Sequence, residues 1–157
     1  MTPDRWEQHK RFVGFDDHDI ELLTRHDKAA RTYVEGLVDA LYEHLMSFRE
    51  SRQHLANQSV LGVLKRLQQK FFLDLTGGDY GPNYLEQRLR VARKHMEIGL
   101  PLYLYLNTYS VYLQLVVPRV LSSEPKLALG QDTLRALMKL IMLDQQLVAE
   151  CYLNGAS

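Results

Sequence analysis

The sequence predicts a single all-α domain, on three observations. Every clear hydrophobic periodicity is helical, with apolar residues spaced three and four apart. No segment alternates apolar and polar residues as a half-buried strand would. The length of 157 residues suits one domain with one substantial core. Glycine and proline breaks divide this domain into about six to eight helices.

The first half of the chain contains three predicted helical stretches. Residues 16–27 begin with aspartates suited to an N-cap, and residues 30–48 carry an apolar stripe on one face. The third stretch begins at a cap formed by Asn57 or Ser59 and repeats apolar residues every three or four positions. It ends at the glycine pair 77–78, which is a strong helix breaker.

The second half of the chain predicts three more helices. One begins after a Gly-Pro pair and covers residues 82–99, where Gly99 ends it. Pro101 suits the first turn of the next helix, which extends to about Leu121 with a bend near Pro118. The final long helix has two apolar stripes, so it needs two partners, one of which lies outside the chain.

Composition and charge exclude several classes of function. Lysine plus arginine equals aspartate plus glutamate at 19 each, which argues against a nucleic-acid-binding surface. The single cysteine, Cys151, excludes an intramolecular disulfide and a cysteine-cluster metal site. The charged N-terminus lacks the apolar core of a signal peptide, so a cytoplasmic protein is expected.

Residues 98–118 carry no charge and are long enough to suggest a membrane span. Two prolines, four tyrosines, Asn107 and Gln114 make this segment a poor span. We therefore expect a helix buried on several sides by protein, and no association with a membrane.

Six histidines offer candidate metal ligands, but five of them lie among charged or amide residues and are typical of a solvated surface. These five are His9, His18, His26, His44 and His54. Zinc-type spacing is absent from the sequence, which contains no HExxH, no cysteine pair and no close histidine pair on a helical face.

The sixth histidine, His95, differs from the others in its helical neighbours. One turn away lie Val91, Ala92, Ile98 and Gly99, which are all small or apolar. A histidine that faces a core is commonly a structural residue satisfied by hydrogen bonds. A neutral imidazole in an apolar pocket is also the usual proximal ligand of a haem iron. Periodicity alone leaves both interpretations open.

The segment VARKHMEIGLP, residues 91–101, resembles the proximal histidine segment of globin-coupled sensors, in which the histidine is followed by Ile-Gly and then Pro. The upstream order is similar as well: Tyr42 late in a long helix, a polar loop, and the apolar helix VLGVLKRL. The resemblance extends from about Trp6 to Tyr152. The chain departs from the family after the proline, where these sensors often have a tryptophan.

This resemblance implies a globin fold: a three-over-three helical sandwich that lacks a D helix and has an extra N-terminal helix. Residues 1–157 would form one sensor domain, with an extension helix in 1–14 and the globin core in 15–154. The implied cofactor is haem b (iron protoporphyrin IX), with His95 as the iron ligand. The implied ligand is O2, and CO and NO also bind ferrous haem.

The resemblance also assigns the gas-binding side of the pocket. Tyr42 matches the distal tyrosine, whose hydroxyl would stabilise bound O2 over CO by ~1–3 kcal/mol; the alternative is a half-buried amphipathic filler. Leu64 matches a distal apolar position that keeps the sixth site open and restricts water. Leu67 matches a position where some relatives carry a hydroxyl residue, so Tyr42 would act alone or with water. Further residues expected to line the macrocycle, although any core would need them too, are Val60, Phe71, Tyr103 and Met142.

The implied function is that of a gas-sensor domain and not of an enzyme. Family members form homodimers through their last two long helices and pass the signal to an output domain, such as a diguanylate cyclase, histidine kinase or chemotaxis transducer. Two alternatives remain open. One is a stand-alone globin that stores, delivers or processes O2 or NO, and the other is a haem-free globin-like interaction module.

Overall fold

The computed structural model describes residues 1–55 and 58–155 and shows an all-helical chain over these ranges. Short 3₁₀ turns at Gln58–Val60 and Asp74–Thr76 flank the fourth helix. The α-helices of the described residues are α1 (Pro3–Phe12), α2 (Asp17–Ser47), α3 (Arg49–His54), α4 (Leu61–Leu73), α5 (Pro82–Glu97), α6 (Leu102–Ser123) and α7 (Leu127–Gly155).

The longest helix, α2, is one continuous element, whereas the sequence predicted two successive stretches. A capping box starts it: the Asp16 side chain accepts from the Asp19 backbone N–H, and the Asp19 side chain accepts from the Asp16 backbone N–H. Its apolar stripe continues through the expected junction, so nothing there favours a break. The buried residues of this stripe include Leu23, Val34, Leu37, Val38 and Leu41.

Glycine and proline fix the ends of α4 and α5 much as predicted. The chain turns after α4 at Gly78, whose φ of 85° is favourable only for glycine. Pro82 occupies the first turn of α5, where its missing N–H costs nothing. Gly99, with φ of 73°, follows the end of α5. Of the two predicted caps, Asn57 lies outside the described residues and Ser59 lies in the 3₁₀ turn Gln58–Val60; Val60 precedes α4, which begins at Leu61 without a side-chain cap.

Helix α7 lies at the centre of the packing and contacts α2, α5 and α6, while α2 also packs on α4 and α6. Buried apolar residues from all these helices form one core. The α1 helix joins this core through Trp6, which is 1% exposed and donates from Nε1 to the Tyr80 carbonyl at 2.7 Å. The Trp6 ring also stacks on Tyr84, with centroids 6.1 Å apart.

The structure corrects the interpretation of His26 as a surface residue. Its side chain is only 2% exposed and lies between α2 and the end of α6. Nδ1 lies 2.6 Å from a Glu124 carboxylate oxygen, and Nε2 lies 2.8 Å from the Tyr33 hydroxyl. Because both ring nitrogens have partners, the polar ring is tolerated in the interior.

The uncharged stretch of α6 is a packed helix of the protein. It buries Tyr105, Tyr109, Tyr112, Val116 and Val120 along one side. Within the described ranges, none of the helices combines the length with the apolar character that a membrane crossing requires.

Candidate functional site

A cavity of about 610 Å³ lies among α2, α3, α4, α5 and α6. This volume falls in the range of protein pockets that enclose a small organic ligand. Most of the lining is apolar or aromatic, and the charged side chains are confined to one end. The lining residues are Leu41, Tyr42, His44, Leu45, Phe48, Arg49, Glu50, Ser51, His54, Leu55, Gln68, Phe71, Phe72, Val91, His95, Ile98, Leu100, Tyr103, Leu104, Tyr105, Asn107, Thr108, Tyr109, Val111 and Tyr112.

His95 lies in the last turn of α5 and lines the cavity wall. Its Nδ1 lies 2.8 Å from the Val91 carbonyl oxygen. Because a carbonyl can only accept, Nδ1 must carry the proton, and the neutral ring keeps its lone pair on Nε2. Burial lowers the pKa of His95, which favours this neutral form. The imidazole is therefore prepared to act as a metal ligand through Nε2.

Tyr105 holds the imidazole from the side. The two rings meet edge to face, with centroids 4.6 Å apart and planes at 82°. Tyr105 is buried, and burial raises the pKa of its hydroxyl. Tyr105 occupies the stretch after Pro101 in which globin-coupled sensors often have a tryptophan. Although this chain lacks that tryptophan, Tyr105 provides His95 with an aromatic neighbour.

Tyr42 reaches the cavity from α2 and is only 7% exposed. Burial raises the pKa of its hydroxyl, so the group keeps its proton at neutral pH. None of the described residues hydrogen-bonds this hydroxyl, so it remains available to a ligand in the cavity. The phenol thus combines an apolar ring in the wall with a donor that a guest molecule could use.

The four aliphatic residues expected at the pocket lie elsewhere. Leu64 is partly buried against the core without lining the cavity. Leu67, Val60 and Met142 are 58%, 40% and 45% exposed and also lie outside the lining. The physical reason is that only the C-terminal half of α4 reaches the cavity, whereas Met142 lies on the outer face of α7.

Gln68 and Phe71 are the cavity-facing residues of α4, together with Phe72. Phe71 was predicted from the sequence and Gln68 was not. Gln68 lies one helical turn after Leu64, so the two share a helix face. A period of 3.6 residues identifies that face, but it does not show where along the helix the cavity begins.

Tyr103, the remaining predicted residue, lies at the mouth of the cavity and is 52% exposed. Its hydroxyl donates to a Glu50 carboxylate oxygen at 2.7 Å. This hydrogen bond raises the pKa of Tyr103, because the phenol is the donor only while protonated. The mouth also includes Arg49, His44 and His54. Their polar sequence neighbours resemble an ordinary solvated surface, so the sequence did not indicate this role.

A buried ionic network lies next to the cavity. Arg88 of α5 is 5% exposed, and its Nε lies 3.3 Å from an Asp144 carboxylate oxygen on α7. The Tyr84 hydroxyl donates to the same carboxylate at 2.9 Å. Arg88 also donates to the Phe71 carbonyl at 3.1 Å, and its guanidinium carbon lies 3.5 Å from the centroid of the Phe71 ring. This network connects α5 to α7 and to the cavity wall.

Among the residues that the structure describes, no group of three or more His, Cys, Asp and Glu side chains could together hold a metal ion. The metal-binding chemistry of the cavity therefore rests on the single imidazole of His95. One protein ligand is enough when a flat organic ring supplies the other donor atoms, as in haem. The apolar walls and the cavity size also suit such a ring, so the residues fit the group.

Comparison with solved structures identifies the architecture as the globin fold. The globin domain of a Geobacter sulfurreducens globin-coupled sensor superposes with a TM-score of 0.88 at 24% identity, over 93% of this chain and 96% of that one. The ferric form of the E. coli DosC globin domain superposes with a TM-score of 0.81 at 16% identity, over 92% of this chain and 97% of that one. At these identities, the likeness establishes the fold alone.

The sequence comparison then identifies the family. The Protoglobin family model matches residues 2–157, so the chain belongs to the Protoglobin family. The chain is also 28% identical over 154 residues to the heme-based aerotactic transducer HemAT of Halobacterium salinarum. That match covers 92% of this chain and 32% of the relative, so the chain spans about a third of the relative's length. The predicted globin fold and sensor-globin resemblance are confirmed.

Proposed function

We propose that this chain is a haem-based gas-sensor domain. The observation that carries the proposal is the neutral imidazole of His95 in the wall of a 610 Å³ apolar cavity, with its lone pair on Nε2. Membership of the Protoglobin family supports the proposal, as does the likeness to a relative described as a heme-based aerotactic transducer. The cofactor is haem b, which supplies reversible binding of a diatomic gas at its iron.

The chain's own residues hold and orient this group. His95 binds the iron through Nε2, while the Val91 carbonyl fixes the proton on Nδ1 and makes the ring a better donor. Tyr105 limits rotation of the imidazole by its edge-to-face contact. Phe71 and Phe72 would supply apolar wall to the ring and help to exclude water from it.

Tyr42 sets the preference among gases. Its protonated hydroxyl would donate a hydrogen bond to a gas molecule held in the cavity, and this would favour O2 over CO, which is the weaker acceptor. Gln68 also lines the cavity, and its side-chain amide is a second group that can donate a hydrogen bond to a ligand. The proposed physiological ligand is therefore O2, with CO and NO as competing ligands.

Transmission follows the connection from α5 into α6 and α7. Met138 and Met142 are 46% and 45% exposed and lie one turn apart on the outer face of α7. Such a face suits a homodimer formed through α6 and α7 by two copies of the domain, which occupies residues 1–157 and adjoins an output domain. Gas binding biases the dimer only if the two arrangements bind the gas unequally. The proposed location is the cytoplasm.

The proposal is tested by gas kinetics on purified protein reconstituted with hemin and reduced. In Tyr42→Phe, loss of a hydrogen bond of ~1–3 kcal/mol should speed O2 dissociation roughly 5- to 150-fold. CO dissociation should change by less than about threefold, because CO accepts a weaker hydrogen bond. Tyr33→Phe is the matched control, since this tyrosine lies on the same helix outside the cavity lining and contacts His26 instead.

Four outcomes separate the possible functions. Selective acceleration of O2 dissociation supports a Tyr42-tuned gas site. Equal effects on both gases mean that Tyr42 does not donate to the ligand. A protein that neither contains haem nor binds added hemin is a haem-free interaction module. Gas binding without any dimer or dimer rearrangement favours a stand-alone globin.

A further inference from the structure

Haem b carries two propionate groups on one edge, and their charge restricts how the ring can lie in the cavity. A carboxylate buried in apolar surroundings is costly unless a cation or hydrogen-bond donors accompany it. The deep part of the cavity is formed by apolar and aromatic residues such as Leu41, Phe72 and Tyr112. The propionate edge must therefore face the polar end of the lining.

That polar end is formed by α3 and the residues beside it. Arg49, Glu50 and His54 belong to α3, and His44 lies in the last turn of α2. The hydroxyl of Tyr103 binds the Glu50 carboxylate at 2.7 Å, so this acid already has a partner. Arg49 is the only arginine or lysine among the described lining residues.

The Arg49 guanidinium is free to bind an anionic partner. Within residues 1–55 and 58–155 it forms no ion pair or side-chain hydrogen bond. Its side chain is exposed at the mouth, so it keeps its charge and can move toward a ligand. A planar guanidinium can meet a carboxylate through two parallel hydrogen bonds, which a lysine cannot do.

The basic residues close to His95 in sequence are unsuitable. Arg88 is buried against Asp144. Arg93 pairs with Glu86 at 3.0 Å and Lys94 pairs with Glu97 at 3.2 Å. None of these cations lines the cavity.

We infer that Arg49 is the propionate anchor of the haem, and that the propionate edge of the ring faces α3 and the first turn of α6. This inference rests on the proposed function, because it assumes that the cavity holds haem. Arg49 lies seven residues after Tyr42, at the junction where α2 passes into α3. The anchor therefore lies at the start of α3, directly after α2, the helix that carries the proposed gas-facing hydroxyl of Tyr42.

The test compares hemin with hemin dimethyl ester, which has the same ring but uncharged propionate esters. The rate of loss of each from the reconstituted protein is measured by transfer to excess haem-free myoglobin. We expect Arg49→Leu to speed hemin loss about three- to tenfold, since ion pairs at an exposed mouth are weaker than buried ones. The same variant should leave the ester's loss rate unchanged within about twofold.

Two control variants and a change of salt concentration sharpen the comparison. Arg52→Leu removes an exposed arginine of the same short helix that does not line the cavity, and it should change neither rate. Arg49→Lys keeps the charge without the two-pronged geometry, so its hemin loss should lie between those of the wild type and Arg49→Leu. High salt should speed hemin loss from the wild type more than from Arg49→Leu.

The possible results are distinguishable. Equal acceleration for hemin and ester in Arg49→Leu, or acceleration for neither, overturns the anchor while leaving haem binding intact. Selective acceleration in His54→Ala but not in Arg49→Leu transfers the role to the histidine and also overturns the inference. If the wild type binds neither hemin nor its ester, the proposed function fails and the anchor fails with it.

Discussion

For the buried Arg88–Asp144 pair, the predicted loss of stability depends on which partner is removed. Burial raises the pKa of Asp144 to about 6, while the nearby Arg88 and the Tyr84 hydrogen bond oppose this rise. The Arg88 guanidinium keeps its charge under all ordinary conditions. When Arg88 is lost, the carboxyl can take up a proton and become neutral. When Asp144 is neutralised, the guanidinium cannot give up its proton.

Asp144→Asn should therefore destabilise the protein more than Arg88→Met at pH 7. The asparagine retains an oxygen for the Tyr84 hydroxyl but leaves a buried, unpaired cation, at a cost of about 3–5 kcal/mol. Arg88→Met loses the hydrogen bond to the Phe71 carbonyl and the ion pair, but the carboxyl protonates, so we expect a loss of about 1–3 kcal/mol. The double variant should recover at least ~2 kcal/mol relative to Asp144→Asn.

Urea unfolding followed by far-UV circular dichroism provides the free energies for this cycle. Single-variant losses that simply add in the double variant would refute the proposed pairing. So would a larger loss in Arg88→Met than in Asp144→Asn.

Two further predictions concern the interior and the surface. His26→Ala should lower the free energy of unfolding in urea by about 2–4 kcal/mol, because it leaves the buried Glu124 carboxylate without its partner. The control His18→Ala removes an exposed histidine and should change this free energy by less than about 0.5 kcal/mol. Met142→Lys places a charge on the proposed dimer face, so it should shift the protein toward monomer in analytical ultracentrifugation without unfolding it. The exposed Gln131→Lys on the same helix should not, and equal shifts in both variants would argue against this face.

The sequence was sufficient for the features that local chemistry determines. Gly99 and Pro82 set the two ends of α5 because only glycine tolerates the positive φ and proline suits the first turn. With those ends known, His95 had to lie in the last turn, beside Val91. The all-helical class follows from periodicity, whereas the globin fold required the resemblance carried by the residues around His95.

Features that depend on residues distant in sequence could not be predicted. His26 has polar neighbours along the chain, but its burial depends on Glu124, 98 residues away. The stagger of α4 against the cavity, which selects Gln68 over Leu64 on the same helix face, depends on packing and not on the helical period. Arg49 occupies an ordinary charged stretch, and only the folded cavity places it at the mouth.

The central claim is that His95 binds the iron of a haem in the cavity, and ligand rescue tests it most directly. His95→Gly removes the imidazole while leaving the walls intact, and free imidazole can enter the space that it vacates. We expect the resonance Raman band of an iron–imidazole bond in the ferrous wild type, its loss in His95→Gly, and its return when imidazole is added. An unchanged band in His95→Gly, or a wild type without any such band, would contradict the account.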